Sequence, residues 1–312
     1  GWMLAAGALC LLATPRLLAQ CSINIGNDTV VCQGTQAQLH GPPGFSNYLW
    51  NTGQVSQDIS TGTAGNYWCQ VTYLSGNLVT NGDFSSGNTG FSSQYIYSST
   101  NLQNEGYYTV GTDAHNYHSQ FQGTGTGNFL IANGGYVSWL NNQFDVWCQS
   151  VPVCPGQTYT LSYRARTLSN DLPARIIWRM DGIDQWPEAT LPAYSAGWQN
   201  FTATWTAAAG QTSVNACLHV TSGDGVGDDF GIDDISISGT IVLSDTLHVG
   251  VTPLPVVNLG PDTTLCQGET LALNAAVPGG SYLWNDGVIT ASRNISSAGN
   301  FAVTVTAQGC SS

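Results

Sequence analysis

The chain has 312 residues, enough for two or three domains at roughly 100–200 residues each. Only 8% are charged, all six basic residues are arginine, and 19 acidic residues set the formal charge at −13, so nucleic-acid binding and polybasic membrane docking are excluded by repulsion. Disorder is excluded too: 42% of residues are apolar, and 37 glycines among many Ser, Thr and Asn point to an all-β chain of short strands and turns.

Residues 3–19 form an apolar stretch broken at Pro15-Arg16, too short to span a bilayer as a helix. It reads as a secretory signal peptide over residues 1–19, cleaved before Gln20. Leu18-Ala19-Gln20-Cys21 also offers a lipoprotein box, which Gln20 fits poorly. No later stretch is long and apolar enough to cross a membrane, so the expected location is extracellular or at the outer cell surface. Setting Cys10 aside leaves an even number of cysteines, the signature of disulfides in an exported chain.

Residues 24–72 and 258–306 are an internal duplication at a constant offset. Both copies carry an Asp-Thr-x-x-Cys-Gln-Gly run (Cys32, Cys266), Tyr-Leu-Trp-Asn (48–51, 282–285) and Ala-Gly-Asn (64–66, 298–300). The first copy also has Cys32, Trp50 and Cys69, with Tyr67 two residues before the last. That arrangement matches an immunoglobulin sandwich, in which the Trp packs on an inter-sheet disulfide and the Tyr closes a corner. It predicts a Cys32–Cys69 bond. The second copy has Val303 where the first has Cys69, so Cys266 is expected to pair with Cys310. Residues 241–251 read as the final strand of the first sandwich. The first domain is therefore 20–75 plus 241–251, split by an insertion at 76–240. Residues 252–257 form a linker. A second Ig-like repeat fills 258–312, stopping before its last strand, with further domains of the same polypeptide expected downstream.

The inserted segment shows clean two-residue alternation. Tyr159, Leu161, Tyr163 and Ala165 form one apolar face. Ile176, Trp178 and Met180 form another, as do Phe201, Ala203 and Trp205, and Val214, Ala216, Leu218 and Val220. Such strands predict two antiparallel sheets sharing a core, a jelly roll by size. Cys148 and Cys217 both lie on non-core faces and are expected to staple neighbouring strands. A Cys148–Cys154 bond needs a sharp bend, and Cys21 and Cys154 have no assigned partners.

The runs NGDFSSGNTGF, EGYYTVGTDAHNYHSQF, VWCQSVPVCPGQTYTLSYRAR and GDDFGIDDISIS resemble secreted jelly-roll modules of Bacteroidota, which are similar to galactose-binding-like carbohydrate-binding modules. The flanking repeats resemble Ig-like or PKD-like repeats of large surface proteins in the same bacteria. This resemblance implies a polysaccharide or cell-surface glycan as partner. It also implies a structural Ca²⁺ near the seam of first and last strands, where Asp83, Asp233 and Asp234, with Asp228 and Asp229 nearby, offer hard oxygen ligands.

Arg164, Arg166, Arg175 and Arg179 all lie opposite core faces. One reading is a groove for a carboxylate- or sulfate-bearing sugar; the other pairs them with Asp145, Asp171, Asp181 or Asp184. Tyr107, Tyr108, Trp139 and Trp186, with Tyr95, Tyr97 and Tyr117, sit in polar contexts and are the candidate sugar platforms, against the ordinary role of buried packing. Catalytic signals are poor: no nucleophile elbow, zincin motif or P-loop occurs. Glu105 and Glu188 are the only glutamates outside the sandwich repeats, and His115 and His118 read as structural more readily than as metal ligands. Thr29, Thr246 and Thr263 follow Asp and precede apolar or Thr residues, a pattern resembling Bacteroidota O-glycosylation sites. The sequence thus reads as a non-catalytic surface protein that binds glycan or mediates adhesion, with Ig-like repeats as stalk. A purely structural spacer and the targeting region of a larger hydrolase are the alternatives.

Overall fold

The computed structural model describes residues 21–134, 144–222 and 228–312. The leader segment and Trp139 lie outside them. Among the described residues the chain is all-β and divides into two compact units. One, the repeat unit, holds residues 22–71 and 243–312; the other, the jelly-roll unit, holds Cys21 and residues 72–242.

The first repeat opens with β1 (Thr29–Cys32), β2 (Ala37–His40), β3 (Tyr48–Trp50), β4 (Asp58–Thr61) and β5 (Gly65–Leu74). The middle segment supplies β6 (Ile96–Tyr97), β7 (Tyr107–Asp113), β8 (Thr124–Asn133), β9 (Asp145–Pro152) and β10 (Thr158–Thr167). It continues through β11 (Arg175–Met180), β12 (Ile183–Thr190), β13 (Gln199–Thr206), β14 (Ser213–Val220) and β15 (Phe230–Ser238). β16 (Thr240–Thr252) returns to the first repeat. The second repeat contributes β17 (Leu271–Asn274), β18 (Ser281–Trp284), β19 (Ser292–Ile295), β20 (Val303–Ala307) and β21 (Cys310–Ser311).

In the repeat unit the first copy has a sheet ordered β1-β16-β5-β3 and a two-stranded antiparallel sheet β2-β4. Alternation explains the core: Ala37, Leu39, Ile59, Trp50, Tyr67, Cys69 and Val71 are buried while their neighbours face out. The second copy repeats the plan as β17-β19 and β18-β20-β21. The shared Tyr-Leu-Trp-Asn motif makes the same bonds in both. Trp50 Nε1 donates to the Ser56 carbonyl at 3.0 Å, and Trp284 Nε1 to Thr290 at 2.9 Å. The Asn51 amide donates to the Asn66 carbonyl at 2.9 Å, and Asn285 to Asn300 at 2.8 Å. The Tyr67 hydroxyl donates to the Thr63 carbonyl at 2.9 Å, which closes the corner into β5.

Two disulfide expectations are corrected. Cys32 is bonded to Cys310, not to Cys69. Cys32 ends β1, which pairs in parallel with β16, and β16 separates it from β5 in the same sheet. Two strand spacings of about 4.8 Å exceed the Cα separation of about 7 Å that a disulfide spans. With Cys310 engaged, Cys266 is an exposed free thiol and Cys69 a buried one; burial pushes the Cys69 thiol pKa up.

In the jelly-roll unit a six-stranded sheet ordered β13-β10-β15-β8-β7-β6 faces a four-stranded sheet ordered β12-β11-β14-β9. Tyr163 of one sheet meets Trp178 of the other edge-to-face at 5.9 Å, inside a core of Tyr159, Leu161, Ile176, Met180, Leu218 and Val220. Phe201, Ala203 and Trp205 are only half-buried because β13 is an edge strand. Disulfides join Cys21 to Cys154 and, across paired positions of β9 and β14, Cys148 to Cys217. Segment entry and exit lie side by side: the Ser75 amide donates to the Gly239 carbonyl at 2.9 Å.

Candidate functional site

The four clustered arginines do not form one groove. Arg164 and Arg166 stand on β10 of the six-stranded sheet, Arg175 and Arg179 on β11 of the four-stranded sheet. Both pairs alternate with core residues, so they point outward on opposite faces of the sandwich. Nearness in sequence across a sheet-to-sheet connection therefore separated them.

On the four-stranded face the guanidiniums are committed. Arg179 Nε lies 2.6 Å from Asp184, its cross-strand partner, and Nη1 lies 3.6 Å from Asp145. Asp145 is also 2.7 Å from His219 Nδ1. Arg175 lies 3.7 Å from Glu188, which accepts from Thr221 Oγ1 at 2.6 Å. Beneath them Ile177, Cys217 and His219 point away from the core yet are buried. Ion pairing engages Arg179 through Asp145 and Asp184, two of the expected aspartates, and Arg175 through Glu188, which was not among them. Trp186, 71% exposed, sits at the edge of this face.

The six-stranded face differs. The Arg164 and Arg166 guanidiniums lie 5.5 and 5.9 Å from the centroid of one indole, Trp198. Arg166 also lies 5.7 Å from the Tyr194 ring. Arg164 is bonded to Asp234 at 3.0 Å. Among the described residues no carboxylate lies within ion-pair range of Arg166. Its guanidinium packs onto Gly123, where a Cβ would stand 2.7 Å from Cζ. Burial pushes the Arg166 pKa down, and Tyr194 opposes that shift weakly. Trp198 is anchored below by Phe129, edge-to-face at 5.1 Å, and by Nε1 donating to the Thr124 carbonyl at 3.1 Å. Exposed Gln122, which accepts from the Tyr194 hydroxyl at 3.3 Å, and exposed Asn200, the cross-strand partner of Arg164, lie beside the rings. Tyr194 and Trp198 were not among the sequence candidates. Their signal was an aromatic pair on a Pro-to-Gly loop just before a strand, beside polar residues.

Of the other described aromatic candidates, the tyrosines pack within the unit, with Tyr97 46% exposed. Tyr108 is buried, donates to Asn88 at 2.9 Å and packs against Tyr97 and Phe91. Tyr95 is buried, and Tyr107 and Tyr117 pack on the cluster of Leu102, Phe121, Phe129 and Ile131. Phe129 and Ile131 alternate with the core-facing Leu130 and Ala132, so this cluster covers the outer side of β8 next to Trp198, which polar flanking sequence concealed.

At the seam, Gly82 presses on β15 so closely that a Cβ would meet the Ile235 carbonyl at 2.0 Å. Burial pushes Asp233 up to about 6, with the neighbouring charges of Asp234 and, less, Asp83 adding to the rise. Asp83 is held low by hydrogen bonds from Ser85. Asp234, at φ 52°, turns outward to Arg164. Asp83 and Asp233 share this seam while Asp234 is diverted to Arg164, and among the described residues the three carboxylates do not gather within ligand range of one another. Asp228 and Asp229 lie instead with Glu105, whose carboxyl is pushed to about 7 by burial and by both aspartates. Glu188 belongs to the four-stranded face, so the two glutamates serve different surroundings. His115 Nδ1 lies 3.2 Å from the Phe121 carbonyl and His118 packs on the Phe121 ring. Thr246 and Thr263 are exposed and Thr29 half-buried.

No helix among the described residues is long and apolar enough to cross a membrane. No protein-family profile matches the chain. No curated protein sequence matches it. Solved structures similar to it are mostly carbohydrate-binding modules. One, described as CBM4, is 22% identical, with 52% of this chain and 99% of that one covered at a TM-score of 0.32. The CBM22-1 xylan-binding domain from Paenibacillus barcinonensis is 16% identical, covering 51% and 91% at 0.33. A cyclase from Fischerella sp. is 12% identical, covering 55% and 97% at 0.39.

Proposed function

We propose that this chain is a non-catalytic, exported glycan-binding protein whose sugar site is the outer face of the six-stranded sheet around Trp198. The observation that carries the reading is a half-buried indole anchored by Phe129 and the Thr124 carbonyl, with a half-buried phenol ring nearby, two guanidiniums over the rings and the exposed amides of Gln122 and Asn200 beside them. Sugar rings lay their apolar CH faces on aromatic faces, while amide and guanidinium groups bond their hydroxyls. Disulfides suit an exported protein. In this reading the Ig-like repeats act as a stalk, and Thr246 and Thr263 are the accessible O-glycan acceptors. A ligand-free spacer is the second reading, favoured by the ion pairing of Arg175 and Arg179 on the other face.

The test is a glycan-array screen of the whole chain with Ca²⁺ or with chelator, alongside Trp198→Ala and Tyr194→Ala. Selective binding lost in both variants supports the reading. No binding by disulfide-intact, folded protein overturns it in favour of the spacer.

A further inference from the structure

From the charge balance at this same site we infer that the ligand is an anionic glycan, held by Arg166 through a carboxylate or sulfate group. The inference rests on the glycan-binding reading and adds the substrate class. Of the described arginines, Arg164, Arg175, Arg179 and Arg293 each have a carboxylate within 4.0 Å. Arg166 has two aromatic rings, a glycine and the Thr167 carbonyl, 3.5 Å from Nε. Two guanidiniums therefore gather at one indole, and Asp234 answers only one of them. The remaining positive charge stands on a chain of net charge −13, where carboxylates are plentiful and a local pairing was available to every neighbour.

The geometry favours a bidentate anion. The Arg166 guanidinium lies over the Tyr194 and Trp198 rings and against Gly123, contacts that limit its rotamer freedom before binding. Partial burial strengthens a charge-assisted hydrogen bond relative to one made in water. A uronate or sulfated sugar then seats its ring against Trp198 and its charge on the fork. The acidic remainder of the chain repels polyanions in general, so attraction is confined to this patch.

The experiment compares matched polymers by titration calorimetry with the whole chain: polygalacturonate against its methyl-esterified form, and dextran sulfate against dextran. The inference predicts binding to at least one charged member, tenfold or more above its neutral match, order-of-magnitude loss in Arg166→Gln, and partial recovery in Arg166→Lys. Thermal midpoints of both variants establish that they fold. Preference for polygalacturonate identifies a carboxylate, and preference for dextran sulfate a sulfate. Equal affinity for charged and neutral members, unchanged in Arg166→Gln and lost in Trp198→Ala, overturns the inference and leaves glycan binding standing. Loss of neither in any variant, or no binding at all, overturns both.

Discussion

Cys32 is covalently joined to Cys310 with Cα atoms 5.5 Å apart, so the end of the first strand of one repeat is tied to the last strand of the other. Cysteine chemistry checks this directly. Non-reducing peptide mapping is expected to recover the Cys32 peptide linked to Cys310 and the Cys21 peptide linked to Cys154. Native alkylation should label Cys266 at once and Cys69 only after denaturation. Cys310→Ser should cost the repeat unit about 2–5 kcal/mol. A Cys32–Cys69 peptide contradicts the arrangement.

Tyr67 offers a second check, because the second repeat carries Phe301 in its place. The Tyr67 hydroxyl serves both the Thr63 carbonyl and Thr61 Oγ1, at 2.9 and 2.5 Å. Tyr67→Phe should destabilise the repeat unit by about 1–2 kcal/mol in urea unfolding. The reverse substitution, Phe301→Tyr, lacks that prepared corner and should gain nothing comparable.

The duplicated motif was legible because its signals are close in sequence: Tyr48, Trp50, Tyr282 and Trp284 bond five or six residues away, and Asn51 and Asn285 fifteen. Alternation likewise exposed Tyr159 to Ala165 and Ile176 to Met180 as core faces. Pairing across strands was not legible. Cys32, Trp50 and Cys69 have the spacing of an Ig core, but spacing cannot tell that Cys32 ends an edge strand rather than a strand of the facing sheet. Arg164 to Arg179 failed for the same reason, since one connection carries the chain from one sheet to the other. Trp198 was hidden because its neighbours Arg166 and Phe129 come from distant strands.

Buried carboxylates give a pH dependence of defined sign. Glu105 and Asp229 are raised to about 7 and about 6, chiefly by burial. Between their unfolded values, about 4, and these folded values, the folded state holds more protons than the unfolded one. Stability of the jelly-roll unit must then fall as pH rises through that window. The thermal midpoint should drop between pH 5 and about 8, by about 2–4 °C for each kcal/mol lost. Glu105→Gln should flatten the profile. A midpoint that rises with pH contradicts the assignment.

The two exposed faces make opposite predictions for their tryptophans. Trp198→Ala should weaken glycan binding by about 1–3 kcal/mol, the cost of a removed aromatic platform. Trp186→Ala, on the ion-paired face, should leave affinity within a factor of about two. Fluorescence titration of both variants against the same glycan separates the faces.

Hydrogen-exchange mass spectrometry of the whole chain with and without bound glycan tests the central claim most directly. The account predicts slowed exchange in peptides covering residues 162–167 and 194–202, with residues 183–190 unchanged. Protection confined to 183–190, or to the repeat unit, would contradict it.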